Sequence, residues 1–113
     1  MRGLSSLHIL KHLMQKIDPE NPPRPCDVFD LIGGTSTGGL IAIMLGRLKM
    51  SVDECIEAYQ GLAEQAFRPR FWKLNTPRFD GTAIENYFKS LIARKGLDKD
   101  ALLVEADNPK CKT

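Results

Sequence analysis

Nothing in this chain offers an uninterrupted apolar run of the roughly 20 residues that a membrane-spanning helix requires. The longest candidate, residues 28–45, is interrupted by Asp30 and four glycines and reads as two packed elements. Charge of one sign is equally scarce: 16 Lys and Arg against 14 Asp and Glu leave a formal net charge of +2, which says little about partners. Repeats and low-complexity tracts are missing. The hydrophobic (42%) and charged (27%) fractions are those of folded soluble domains, which argues against disorder. Met1-Arg2-Gly3 leads into a mixed stretch containing His8, Lys11 and His12 rather than an apolar core, so no signal peptide is read. The three cysteines, Cys26, Cys55 and Cys111, are widely spaced, lack metal-ligand spacing and cannot all pair. Free thiols in a reducing compartment follow, giving an expectation of an intracellular protein, cytoplasmic or peripheral on a membrane. At 113 residues the chain is one small domain at most, able to bury a core but short for an enzyme with a substrate pocket.

What the chain does have is Gly33-Gly34-Thr35-Ser36-Thr37-Gly38-Gly39, preceded by the apolar run Val28-Phe29-Asp30-Leu31-Ile32 and followed by Leu40 to Leu45. That order predicts strand, tight glycine turn and buried helix. Gly34-x-Ser36-x-Gly38, with Thr35 and Thr37 between, matches the nucleophile-elbow pattern, in which a serine is held on a sharp strand-to-helix turn with its hydroxyl exposed. A Cβ at Gly34 or Gly38 is expected to collide where strand and helix meet. Ser36 then stands at the first turn of the helix, where unpaired N–H groups favour a developing anion, so acyl transfer is the chemistry implied. A phosphate-binding loop fits worse: Gly33 and Gly38 have the outer spacing, but Gly39 and Leu40 replace its Lys and Ser or Thr. A purely structural glycine turn is the bland alternative.

Around this turn the sequence reads as helices. Leu4, Leu7, Leu10, Leu13, Met14 and Ile17 fall at three- and four-residue steps and make an amphipathic helix. The segment from Pro19 to Pro25 breaks it; its P-x-x-P spacings could dock on an aromatic-lined module but serve better as a rigid connector. Gly46, Arg47 and Lys49 suit the end of the next helix. Ser51-x-x-Glu54 is a capping box for a helix running to about Phe67, and Thr82-x-x-Glu85 opens another that closes at Gly96. Alternating helices and buried strands imply an α/β layer fold. Only one strand, residues 28–32, is convincing here, so its neighbours are expected outside the chain, which reads as cut at both ends.

Arg2-Gly3-Leu4-Ser5, the amphipathic helix, the strand and the G-G-T-S-T-G-G turn resemble the patatin-like phospholipase family, particularly its fungal branch, over nearly the whole chain. The resemblance implies a three-layer domain with a mostly parallel central sheet, of which residues 1–113 are the N-terminal portion, helix-rich in this part. It implies a lipid acyl hydrolase acting on phospholipid or other acyl esters through a Ser–Asp dyad, with no metal or cofactor. Ser36 matches the nucleophile, and Arg2 and Gly3 match the end of the oxyanion loop. The glycines before that loop and the D-G-[GA] aspartate have no counterpart here. Losing an activating base costs roughly 10⁴ in rate, so the isolated chain is expected to show at most trace hydrolysis. The alternative is a non-catalytic lipid-binding or interaction module derived from the same domain.

Three further features compete for a role. Asp80-Gly81 has the first letters of the aspartate motif, but Thr82 follows and Asp80 precedes a helix start, where a carboxylate is commonplace. His8 and His12 have the spacing of a zinc pair without the intervening glutamate or a third ligand. In residues 67–79, Arg68, Arg70, Lys73 and Arg78 alternate with Phe67, Phe71, Trp72 and Phe79. That mixture suits a connecting loop anchored by its rings, or peripheral contact with an anionic membrane. With no nucleic-acid motif elsewhere, nucleic acid is not an expected partner.

Overall fold

The computed structural model describes residues 2–66, 81–98 and 109–113. Its elements are α1 (Arg2–Ile17), α2 (Pro25–Val28), α3 (Thr37–Ala42) continued by a π-helical turn (Ile43–Arg47), α4 (Val52–Ala66) and α5 (Gly81–Arg94). Two compact units contain them: Met1–Glu57 with Leu102–Thr113, and Ala58–Ala101.

In the first unit α1 forms where the apolar spacing places it and buries Leu7 and Met14. Asp18 ends it: its carboxylate accepts from the N–H groups of Glu20 (3.2 Å) and Asn21 (3.2 Å), a local turn that competes with further helix. Pro25, at the first position of α2, lacks the N–H a helix start leaves unpaired. α1 packs on α3, and α2 packs on the π-helical turn. Ala42, Met44, Leu45, Leu48, Met50, Val52 and Cys55 are buried. The helix beyond Ser36 does not stop at Gly46. It widens, with Leu48 N–H donating to Ile43 O at 3.0 Å, and leaves through Lys49 at φ 54°. Gly46 is buried for another reason: a Cβ there would meet the Thr113 hydroxyl.

The Ser51 box is present as read, Glu54 N–H donating to Ser51 Oγ at 3.2 Å and Ser51 N–H to Glu54 Oε1 at 3.3 Å. In the second unit, Tyr59, Leu62 and Leu91 are buried. α5 begins one residue before Thr82, which therefore lies inside the first turn. It closes in a Schellman motif, Leu97 N–H donating to Ile92 O (3.2 Å) and Gly96 N–H to Ala93 O (3.0 Å), with Gly96 at φ 80°.

The strand expected over residues 28–32 is shorter than its apolar run. Its first residue, Val28, closes α2, and pairing among the described residues is one parallel bridge, Leu31 with Lys112. Ile32 N–H donates to Lys112 O and Lys112 N–H to Asp30 O, both at 2.8 Å. A short apolar run becomes strand only where a neighbour supplies the ladder, and here one residue pair does so.

Candidate active site

The site begins where α2 ends. Phe29 N–H closes that turn on Pro25 O at 2.9 Å, and Phe29 itself is extended (φ −101°, ψ 146°), carrying the chain to the Leu31 bridge. Beyond it, Gly33, Gly34, Thr35, Ser36 and Thr37 are all exposed. Ser36 has φ 57° and ψ −129°, backbone angles outside the regions an L-residue normally occupies. Its carbonyl accepts from Gly39 N–H at 3.0 Å and starts α3.

Ser36 stands at the N-cap, yet its hydroxyl makes no capping hydrogen bond. A serine at this position usually earns its place by capping. The helix start therefore gains no side-chain hydrogen bond from this hydroxyl.

The close approach that holds this turn is at Gly34. A Cβ on Gly34 would strike the carbonyl oxygen of Gly38 and could be relieved only by moving backbone. The expected second collision, at Gly38, does not occur: a Cβ there meets nothing within 4 Å, because Gly38 presents its carbonyl to Gly34 and its Cα hydrogens to open space. Gly39 is the other tight position, a Cβ lying 3.2 Å from Gly34 O. Sequence reasoning missed it, although the doubled glycine after Ser36 was its signal.

Arg2 and Gly3 form the first turn of α1. α1 contacts α3, the helix that follows Ser36. Asp80 and residues 67–79 fall outside the described residues. His8 and His12 are exposed on α1, and among the described residues no three His, Cys, Asp or Glu side chains gather as a metal-ligand set. The proline connector contributes Pro22 and Pro23 to a cavity of about 80 Å³ beside Lys11 and Asp53, whose ion pair measures 2.9 Å; Ser36 does not line it.

All three cysteines are buried and none is in a disulfide among the described residues. Burial pushes Cys55 up to about 12, and burial followed by the Asp27 carboxylate raises Cys26. Cys26 and Cys55, held protonated by burial, are poor nucleophiles, whereas Ser36 is exposed. No helix among the described residues is long and apolar enough to cross a membrane.

A segment with one parallel bridge thus leads through an exposed serine turn into a helix. The chain belongs to the patatin-like phospholipase family, an α/β family whose model matches residues 1–109. Among curated relatives it is 34% identical over 91 residues to "Phospholipase A I" of Arabidopsis thaliana, covering 80% of this chain and 7% of the relative. It is 32% identical over 117 residues to human "Calcium-independent phospholipase A2-gamma", covering 97% of this chain and 14% of the relative. It is also 32% identical over 81 residues to "Probable inactive patatin-3-Kuras 1" of Solanum tuberosum, covering 66% of this chain and 22% of the relative. The chain therefore spans less than a quarter of the length of each of these three. No solved structure matches it.

Proposed function

We propose that this chain supplies the nucleophile of a serine lipid acyl hydrolase, with Ser36 forming a covalent acyl-enzyme on a phospholipid or related acyl ester. The observation that carries the reading is the Ser36 backbone at φ 57° combined with a hydroxyl that caps nothing. A residue held at a strained angle with no structural return is typical of a functional position. Relatives named as phospholipases supply the substrate class.

In the proposed step Ser36 Oγ adds to the ester carbonyl carbon while its proton passes to an aspartate outside these residues, completing a Ser–Asp dyad. The tetrahedral oxyanion is held by backbone N–H groups, those around Gly3 and those preceding it in the full domain. The intermediate collapses, the leaving alcohol takes the proton, and water then hydrolyses the acyl-serine. The parallel bridge at Leu31 supports a mostly parallel central sheet between helical layers, with this chain as the N-terminal portion of that domain.

A fluorophosphonate probe applied to the full-length protein tests the assignment. Labelling that disappears in Ser36→Ala is expected, and labelling that persists at wild-type strength overturns it. The second reading, a lipid-binding module without chemistry, is favoured by the relative named as probably inactive. It predicts a full-length protein that sediments with lipid vesicles but neither labels nor releases fatty acid.

A further inference from the structure

The turn that holds Ser36 has two arms, the segment of the Leu31 bridge before it and the helix from Thr37 to Arg47 after it. Two adjacent residues, Lys112 and Thr113, reach both. Lys112 N–H donates to Asp30 O and Ile32 N–H donates to Lys112 O, each at 2.8 Å. Thr113 lies against the other arm at Gly46: a Cβ built on that glycine would meet the Thr113 hydroxyl and stand 3.4 Å from Thr113 Cβ. Gly46 is buried and belongs to the π-helical turn Ile43–Arg47. A π turn is rare and glycine inside a helix is unfavourable, and both occur where the helix passes Thr113. The close approach of Gly34 to the Gly38 carbonyl holds the near end of the helix arm. Gly46 against Thr113 holds it about 12 Å further along.

We infer that Gly46 and Thr113 are positioning residues for Ser36: their contact sets the angle between the two arms, and through the backbone it sets where the hydroxyl stands. The inference rests on the reading of Ser36 as the nucleophile and adds to it what holds that nucleophile in place. A lever gives the size of the effect. Relieving a contact about 1 Å too close at Gly46 turns a helix arm of about 12 Å by roughly 5°. A group about 5 Å beyond the pivot then moves by about 0.4 Å, close to the roughly 0.5 Å that productive geometry tolerates. A 1 Å misplacement costs about 10²-fold in rate, so a loss of about five- to tenfold is expected here. Thr113 is β-branched and has few rotamers into which it could retreat. Both contacts lie within the first unit, and neither depends on what covers its surface.

The test is steady-state hydrolysis of a p-nitrophenyl acyl ester by the full-length protein, with active sites counted by fluorophosphonate labelling and melting followed for every variant. Gly46→Ala is expected to lower kcat about five- to tenfold with KM unchanged. Thr113→Ala, which removes the atoms Gly46 rests on and adds no clash, is expected to lower kcat in the same direction. It keeps the comparison if Gly46→Ala does not fold. Combining the two places the Cβ atoms 3.4 Å apart, an ordinary contact, and is expected to restore kcat to within about twofold of wild type. Ser51→Ala, which loosens a cap elsewhere, is expected to lower melting and leave kcat unchanged. Wild-type kcat in Thr113→Ala, or in a folded Gly46→Ala, overturns the inference. So does a loss that the pair fails to restore, or one that Ser51→Ala shares. The hydrolase reading is judged separately, by whether hydrolysis and labelling vanish in Ser36→Ala. Should they persist, or should the protein not cleave esters at all, crystal structures of wild type and Thr113→Ala decide: a displaced Ser36 supports the inference, and a superimposable turn overturns it.

Discussion

Gly34 and Ser36 divide the labour of the turn. Gly34→Ala is expected to cost about 1–3 kcal/mol, because the added methyl meets backbone at Gly38 that no rotamer change can move. Denaturant unfolding against wild type measures it, and Gly38→Ala, whose Cβ has open space, is the matched control. Ser36→Gly should move the other way, stabilising by about 1 kcal/mol, since glycine occupies φ 57° with little strain and the hydroxyl provides no cap to lose. Cys55 makes the fold sensitive to alkali. Its thiol ionises near 9.0 in the unfolded chain and about 12 when folded. Below pH 9 both states keep the proton and stability is unaffected. Between those values the unfolded state alone releases it, so stability falls by up to about 1.4 kcal/mol per pH unit. Unfolding curves from pH 8 to 10.5 should show that slope, and Cys55→Ala should flatten it.

Helices show how local signals become elements. The reciprocal Ser51–Glu54 bonds predict that Ser51→Ala destabilises by about 1 kcal/mol, measurable by thermal unfolding, with Ser51→Asp nearly neutral because a carboxylate caps as well. This capping box, the Gly96 closure and the α1 spacing were all legible in the sequence, because each depends on residues within one or two turns. The segment at 28–32 was legible only in part. Its apolar character was plain, but strand length depends on a partner, and the partner is Lys112, eighty-one residues from Leu31 along the chain. No local pattern announces such a pairing. The same limit explains Gly46, read as a helix terminator and found inside the helix opposite Thr113. The serine turn itself was legible down to Gly34, whereas the relief at Gly38 required its carbonyl direction, which backbone geometry alone decides.

Across the first unit, distant parts of the chain are tied together at few points. Lys110 Nζ donates to Asp27 O at 3.0 Å, Leu31 pairs with Lys112, and Thr113 fills the space left by Gly46. Gly46→Ala tests that last contact by its sign. Helix propensity alone would favour alanine by about 1 kcal/mol, but the clash with Thr113 should reverse this. In a Thr113→Gly background the substitution should turn stabilising, and a double-mutant cycle with no coupling would show that the two residues act independently. The uncapped hydroxyl of Ser36 has a consequence at the level of lineages. Since neither the turn nor α3 draws on that oxygen, pressure to keep the protein foldable gives the serine no protection. If Ser36 is the nucleophile proposed above, only a benefit from that reaction retains it, and a descendant freed from that demand could lose the serine while keeping its shape.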